Sequence, residues 1–454
     1  MTVAAHSTAA TVVVGLGASG LASVRHLRAL GRRVTVMDTR PNPPHAEQVR
    51  REYPEVALQL GALDAATLAG AEEIVLSPGV DPRLPALREA GRQGRPVIGE
   101  IELFAREVTA PVIGITGSNG KSTVTRMLAA MAAAAHVPAA TGGNLGPPAL
   151  TLLAQQPDAP LYILELSSFQ LESTRSLAPL AAAVLNLSPD HLDRYAGMSD
   201  YAAAKARILR GAQTAVLNAD DVAVRAMAQA GQSTVWFTGA ETSTPDNVAA
   251  LWSLAPRAGE TWICRAGQPF MPRQSVAAPG RHNAVNALAA LALGEAAGFS
   301  ADAMRHGLAT FGGLPHRLET LGERQGRLWV NDSKATNVGA AVAAIQSMTA
   351  PVVLLAGGDG KGQVFAPLAQ AMAPRGRAVV AYGRDGDRIA AAFGDQLPVQ
   401  RVDDLDAAVA AAHALSQAGD AVLLAPACAS LDQFADYRAR GERFRARVEA
   451  LGDE

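Results

Sequence analysis

The stretch "GITGSNGKST" at residues 114–123 follows a β-branched run, "PVIGIT", and leads directly into "VTRMLAAM". Strand, glycine-rich turn, Lys-Ser-Thr and helix, in that order, make a phosphate cradle. Backbone N–H groups and the positive end of the helix face an anion, Lys121 adds a full charge, and the Ser122 hydroxyl is placed for a divalent cation. Gly117, Ser118, Asn119, Gly120, Lys121, Ser122 and Thr123 would line it. Two residues separate Gly117 from Gly120-Lys121 where the common form has four, and Ile115 stands where the first glycine would fall. The context still predicts ATP or GTP binding.

Outward from this cradle, short Val- or Leu-rich runs alternate with Ala-rich amphipathic stretches: "TVVVG", "RVTVMD", "EEIVLSPG", "LYILELS", "AAAVLNLS", "TAVLN", "PVVLLAGG", "AVVAYG" and "AVLLAP". That alternation predicts βαβ units on parallel sheets, with function in the loops at the carboxyl ends of strands. The helix-like "EIELFAREV" gives way to a fresh strand near residues 104–111, and "FGGLP" closes a long helical region near residues 311–315. An α/β chain of three domains is expected, over residues 1–107, 108–313 and 314–454. Residues 240–280 lack helical periodicity and predict hairpins or loops within the middle domain.

Two further stretches bear on what a bound nucleotide would do. "LELSSFQLE" (residues 164–172) puts Glu165 at a strand end, suited to a magnesium ion. "NLSPDHLDRY" (186–195) sets His191 among Asp190 and Asp193 in the same domain, which favours chemistry over a structural histidine. Near the start, "GLGASG" (15–20) sits between a Val run and a helical pattern, with Asp38 ending a strand 18 residues after Gly20. On its own this is a dinucleotide fingerprint, and a nicotinamide cofactor stays open on these residues.

The formal net charge is −2 across 454 residues, so no general field draws nucleic acid or an anionic membrane, and any anion must be caught locally. Two cysteines make no disulfide framework and suit a reducing cytoplasm. The first 24 residues carry no Lys, Arg, Asp or Glu, but without a positive n-region no signal peptide is expected. Nor is any membrane insertion.

Taken together, "TGSNGKST", "GGNLG", "LELSSFQLE", "SPDHLDRY", "GRHNAVNALAA", "GLPHRLE", "NDSKATN", "GGDGKG" and "ACASLDQF" resemble the Mur ligases, in family order and over essentially the whole chain. "TGxNGK" is shared with folylpolyglutamate synthases, whereas "LELSSFQLE" and "ACASLDQF" point to the D-glutamate-adding branch. The "DNPR" motif of the diaminopimelate- or lysine-adding relatives is missing.

The resemblance implies a Rossmann-like uridine-diphosphate-binding domain, a central P-loop ATPase domain and a Rossmann-like C-terminal domain. It implies a monomer that joins D-glutamate to UDP-N-acetylmuramoyl-L-alanine with ATP and two Mg2+ ions. Gly17, Ala18, Ser19, Gly20, Asp38, Thr39, Ser77, Pro78 and Gly79 would hold the UDP-sugar. Ser122, Glu165, His191 and Lys205 would hold metal, His191 a second magnesium or else the acyl phosphate and Lys205 as a carbamate; by periodicity alone Lys205 is a solvated helix lysine. Asn144 would donate to substrate or a phosphoryl oxygen, or be a turn asparagine. Asn283 and Asn286 would read adenine, or be a cap and a surface residue. His316, Arg317 and Asp332 would meet the ribose and phosphates, and Lys334 the γ-phosphate or the tetrahedral species. Thr336, Lys361 and Ser430 would bind D-glutamate, or serve turns, while Tyr437 replaces an expected phenylalanine wall and Phe434 is wall or core. Competing readings are another ligase on this scaffold, a nucleotide switch or transport ATPase that needs no amino acid, and a nicotinamide oxidoreductase.

Overall fold

In the computed structural model, residues 10–240, 250–278 and 280–452 are described. Three sheets carry the chain. The first is all parallel, in the spatial order Ala57–Leu60, Val34–Asp38, Thr11–Val14, Glu73–Leu76, Val97–Ile98. Its central strand is Thr-Val-Val-Val, buried on both faces as helix-covered parallel strands are. Each of those valines contributes about 1.5–3 kcal/mol relative to exposure. The strand ends at Gly15, whose φ of +93° turns the chain into the helix Ala18–Ala29. A Cβ at Gly20 would lie 2.0 Å from the Gly15 carbonyl oxygen, so that helix can seat against the strand only with glycine there.

The second sheet has nine strands. Its parallel body runs Ser233–Thr238, Thr214–Asn218, Ala181–Val184, Val112–Thr116, Leu161–Glu165, Ala139–Gly143. Beyond Ser233–Thr238 lie Ala250–Arg257, Glu260–Arg265 and Gln268–Pro272, each antiparallel to the one before it within these three, which are the hairpins expected of this region. Residues 241–249 of that expectation, like residues 1–9 at the start, lie outside the described residues. The helix Arg281–Ala296 buries every residue from Ala287 to Gly294 and packs on the cradle helix Lys121–Ala134. A helix apolar all round belongs in an interior. The helix Ala301–Thr310 approaches so closely that a Cβ on Gly307 would lie 2.6 Å from the Met131 backbone nitrogen.

The third sheet is ordered Glu319–Arg324, Arg327–Asn331, Ala421–Leu424, Val352–Gly357, Gly376–Tyr382, Val399–Arg401, parallel except for its first strand. Edge strands such as Ala57–Leu60 and Val399–Arg401 are partly exposed and carry weak apolar runs, so the sequence pattern does not announce them. No helix among the described residues is long and apolar enough to cross a membrane.

Candidate active site

The strand Val112–Thr116 delivers the cradle at its carboxyl end. Gly117 and Gly120 take φ of +150° and +86°, and a Cβ on Gly120 would strike the Asn286 side-chain oxygen at 2.4 Å. Lys121 folds back over its own loop, its Nζ donating to the Gly117 and Ser118 carbonyls at 2.8 and 3.0 Å. Next to it, the Ser122 hydroxyl donates to Glu165 Oε2 at 2.6 Å, and Asn144 Nδ2 donates to Glu165 Oε1 at 2.7 Å. Arg317 reaches over from the segment preceding the third sheet and donates to Ser122 Oγ at 2.7 Å. Three more contacts join these loops: Asn337 Nδ2 to Asn119 Oδ1 at 3.1 Å, and Lys361 Nζ and Asn337 Nδ2 to Asp190 at 3.2 and 3.4 Å.

These groups enclose a cavity of about 260 Å3. Five basic side chains, Lys121, Lys205, Arg317, Lys334 and Lys361, line it against two carboxylates, Glu165 and Asp190. Burial pushes Glu165 up, but Lys121, Ser122, Asn144 and Arg317 outweigh it and leave the carboxyl below its ordinary value. Asp190 is likewise lowered, by Lys361 above all, against burial. Burial and the nearby Lys361 and Lys121 hold His191 down at about 4, so its ring is neutral at pH 7. Lys205 is driven well below its ordinary value by burial and by Lys121. A walled space with surplus positive charge favours polyanions.

Lys334 gives that surplus a measurable consequence. Burial, Arg317 and Lys121 bring its ammonium down to about 7. In the unfolded chain it would titrate near 10.5, so between about 7 and 10.5 the unfolded state binds the extra proton and stability rises with pH through that window. A polyphosphate favours the cation, and at pH 8 nucleotide binding should therefore take up about one proton. Asp332, pushed up to about 7 by burial, would add to that uptake, although its own stability contribution has the opposite sign and falls as pH rises from about 3.8 to about 7. Calorimetry in buffers of differing protonation enthalpy reads this directly; proton release at pH 8 would contradict it.

A second cavity, of about 410 Å3, opens on the other side of the cradle and is lined by Asn119, Gly120, Thr123, Asn283, Asn286, Arg317, Asp332 and Lys334, among others. Asn286 Nδ2 donates to Asn283 Oδ1 at 3.3 Å, one helical turn apart. A third, of about 760 Å3, runs from the first glycine loop to the second sheet, between Gly17, Ala18, Ser19, Asp38, Thr39, Arg40, Ser77, Pro78 and Gly79 on one side and Gly143, Asn144 and Gln170 on the other. Asn144 thus borders both this long cavity and the charged one.

The chain matches three family patterns in succession: the N-terminal domain of MurD-like Mur ligases over residues 9–99, the Mur ligase middle domain over 115–294, and the Mur ligase glutamate ligase domain over 316–428. It is 49% identical to the UDP-N-acetylmuramoylalanine–D-glutamate ligase of Nitrosococcus oceani, across 98% of this chain and 97% of that one. This protein is a Mur ligase. The ligase of the same name from Chromohalobacter salexigens is also 49% identical, over 96% of each chain. Among solved structures, the fold superimposes on UDP-N-acetylmuramate–alanine ligase MurC of Thermotoga maritima with a TM-score of 0.60 at 18% identity, covering 98% of this chain and all of that one. A pseudomurein peptide ligase from Methanothermus fervidus gives 0.62 at 18% identity over 98% and 100%.

Within this Mur ligase, Ser118, Asn119, Gly120, Lys121, Ser122, Asn144, Glu165, His191, Lys205, Arg317, Lys334, Thr336 and Lys361 share the charged cavity. Other expected residues stand elsewhere. Gly117 lies behind the wall and offers its carbonyl to both Lys121 and Lys205, and Gly20 packs under Gly15. Lys205 is no solvated lysine: it is 2% exposed, with Nζ 2.9 Å from the Gly117 carbonyl and over the Tyr201 ring. His316 is turned away, against Asn331 and Glu442. Ser430 is buried outside the cavity wall, Phe434 packs on the apolar cluster that holds Trp329, Tyr382 and Phe444, and Tyr437 lies beneath Lys334, its ring 4.3 Å from that Nζ. Asp38 borders the long cavity, but its carboxylate is already taken by the Leu16 N–H at 2.7 Å and by Arg40.

The cation presented there is Arg40, which the fingerprint reading passed over because it weighed only the acid. Asn186 and Asn337 were also missed; Asn186 Oδ1 accepts from the Asn119 N–H at 2.8 Å, and only spatial proximity reveals it. Among the described residues no three His, Cys, Asp or Glu side chains converge as a metal cluster. Ser122 and Glu165 do supply the hard oxygen donors magnesium takes, where the Arg317 guanidinium now sits.

Proposed function

We propose that this protein is an ATP-dependent ligase that joins D-glutamate to UDP-N-acetylmuramoyl-L-alanine in peptidoglycan synthesis. The observation that carries the reading is the cavity where five basic side chains meet two carboxylates at a phosphate cradle, bordered through Asn144 by a long cavity reaching the first glycine loop. Amide formation between a carboxylate and an amine requires a leaving group better than hydroxide. The substrate carboxylate attacks the γ-phosphorus, ADP departs, and the resulting acyl phosphate is attacked at carbon by the amine, with loss of phosphate and of the amine's proton. The first step brings two anions together, which is where the cation surplus acts.

In this reading the chain divides into residues 1–107, 108–313 and 314–454. The glycine loop, Thr39, Arg40, Ser77, Pro78 and Gly79 hold the uridine diphosphate, which displaces the nicotinamide alternative. Asn283 and Asn286 face adenine, with Arg317 and Asp332 toward ribose and phosphates. Lys121 and Lys334 neutralise the transferred phosphoryl group. Thr336 and Lys361 receive the amino acid. Ser122 and Glu165 would hold a magnesium ion, which when bound supplies charge neutralisation to the β- and γ-phosphates. His191 and a carbamate on Lys205 would serve a second. A carbamate there needs the neutral amine, and the lowered proton affinity of Lys205 favours that form. A monomer working in the cytoplasm completes the proposal.

Phosphate release is measured with ATP, magnesium and UDP-N-acetylmuramoyl-L-alanine, without amino acid and with each glutamate enantiomer. Stimulation by the D form alone is expected. Equal stimulation by the L form, or turnover indifferent to any amino acid, would overturn the assignment.

A further inference from the structure

The helix Tyr437–Glu449 reads as a charged surface helix, yet Arg440 within it is 0% exposed. Among the described residues no carboxylate lies within ion-pair reach of its guanidinium. All its bonds go to neutral acceptors: Nε to Ser333 Oγ at 3.0 Å, Nη2 to the Ser333 carbonyl at 2.8 Å, and Nη1 to the Cys428 and Gly357 carbonyls at 3.1 and 3.4 Å. These acceptors lie at or just beyond the carboxyl ends of three adjacent strands, Arg327–Asn331, Ala421–Leu424 and Val352–Gly357.

The first loop continues into Lys334 and Thr336, and the third into Lys361, all on the wall of the charged cavity. The second is tied to the third by Asp359 and Ala429, which exchange backbone bonds of 2.9 and 2.8 Å. Ser333 Oγ also donates to the Tyr437 carbonyl at 2.8 Å, fixing the start of the helix that carries Arg440. One planar fork therefore sets the spacing of three loops, a task its five fixed donors suit and a single ammonium does not. A buried charge without a counter-ion is costly, and a dicarboxylate arriving in the adjoining cavity offsets that cost.

We propose that Arg440 is a positioning residue for the amino-acid substrate: without touching it, the side chain registers the loops of Thr336 and Lys361 and biases their cavity toward a dianion. This rests on the function proposed above. The test is steady-state kinetics for all three substrates on the full chain, with melting temperature alongside, for Arg440→Gln, Arg440→Lys and Ser333→Ala.

For Arg440→Gln, KM for D-glutamate should rise ~10- to 100-fold while KM for ATP and for the UDP-substrate stays within ~2-fold. Arg440→Lys should restore part of the loss by keeping charge without the fork. Ser333→Ala should show a smaller rise of the same selectivity. Should Arg440→Gln not accumulate folded, the other two variants are judged by the same split. A D-glutamate KM unchanged within ~2-fold, or a rise shared equally by all three substrates, overturns the inference while a D-glutamate-dependent wild type leaves the proposed function standing. A wild type that ignores D-glutamate overturns both.

Discussion

Lys121→Ala will lower ligation by at least ~10³-fold and abolish trapping of an acyl phosphate by hydroxylamine. Two losses combine in this variant. The transferred phosphoryl group loses the cation set at the helix N-terminus, and the loop loses the bonds Lys121 makes to Gly117 and Ser118. The long cavity on the first sheet contains neither, so equilibrium binding of the UDP-substrate should match wild type. Trapping assays paired with a binding titration separate the two effects. Near-normal ligation by Lys121→Ala would remove the cradle from the chemistry.

Glu165→Gln keeps the shape of the side chain and deletes its charge. The carboxylate accepts from Ser122 and Asn144 at once, and an amide nitrogen in either place would face a donor. Its charge also offsets part of Lys121 and Arg317. A fall of ~10²- to 10³-fold in kcat/KM is expected, with half-maximal turnover shifted to higher magnesium concentration. The measurement is a magnesium titration at saturating ATP. A variant with lowered turnover but unaltered magnesium dependence would assign Glu165 to bracing Asn144 and Ser122 instead.

The cradle and Glu165 were legible because every signal for them is local: apolar run, turn residues, then helix formers. Burial of Lys205 was not, since the alanines around it in "YAAAKA" give no polar contrast from which to find the inward face, and its acceptor is Gly117, 88 residues earlier. Arg440 is hidden in the same way inside "YRARGERFRARVE", where it is one of five arginines and nothing in the sequence marks it as the buried one. The strand Ala139–Gly143 ends in two glycines and reads as a turn. It pairs with Leu161–Glu165 because no side chain keeps it away: a Cβ on Gly143 would lie 2.3 Å from the Glu165 carbonyl. The parallel bodies of the three sheets follow from the apolar runs, whereas the contacts that join the third sheet to the cradle lie between residues as far apart as Asn119 and Asn337.

If Lys361 receives the amino acid as proposed, its 3.2 Å bridge to Asp190 must open for the incoming carboxylate. Both an amino acid and a small inorganic anion carry the charge needed to draw the lysine from its present companion. Turnover should then slow as liberated orthophosphate builds up, so the enzyme throttles itself when its spent product lingers.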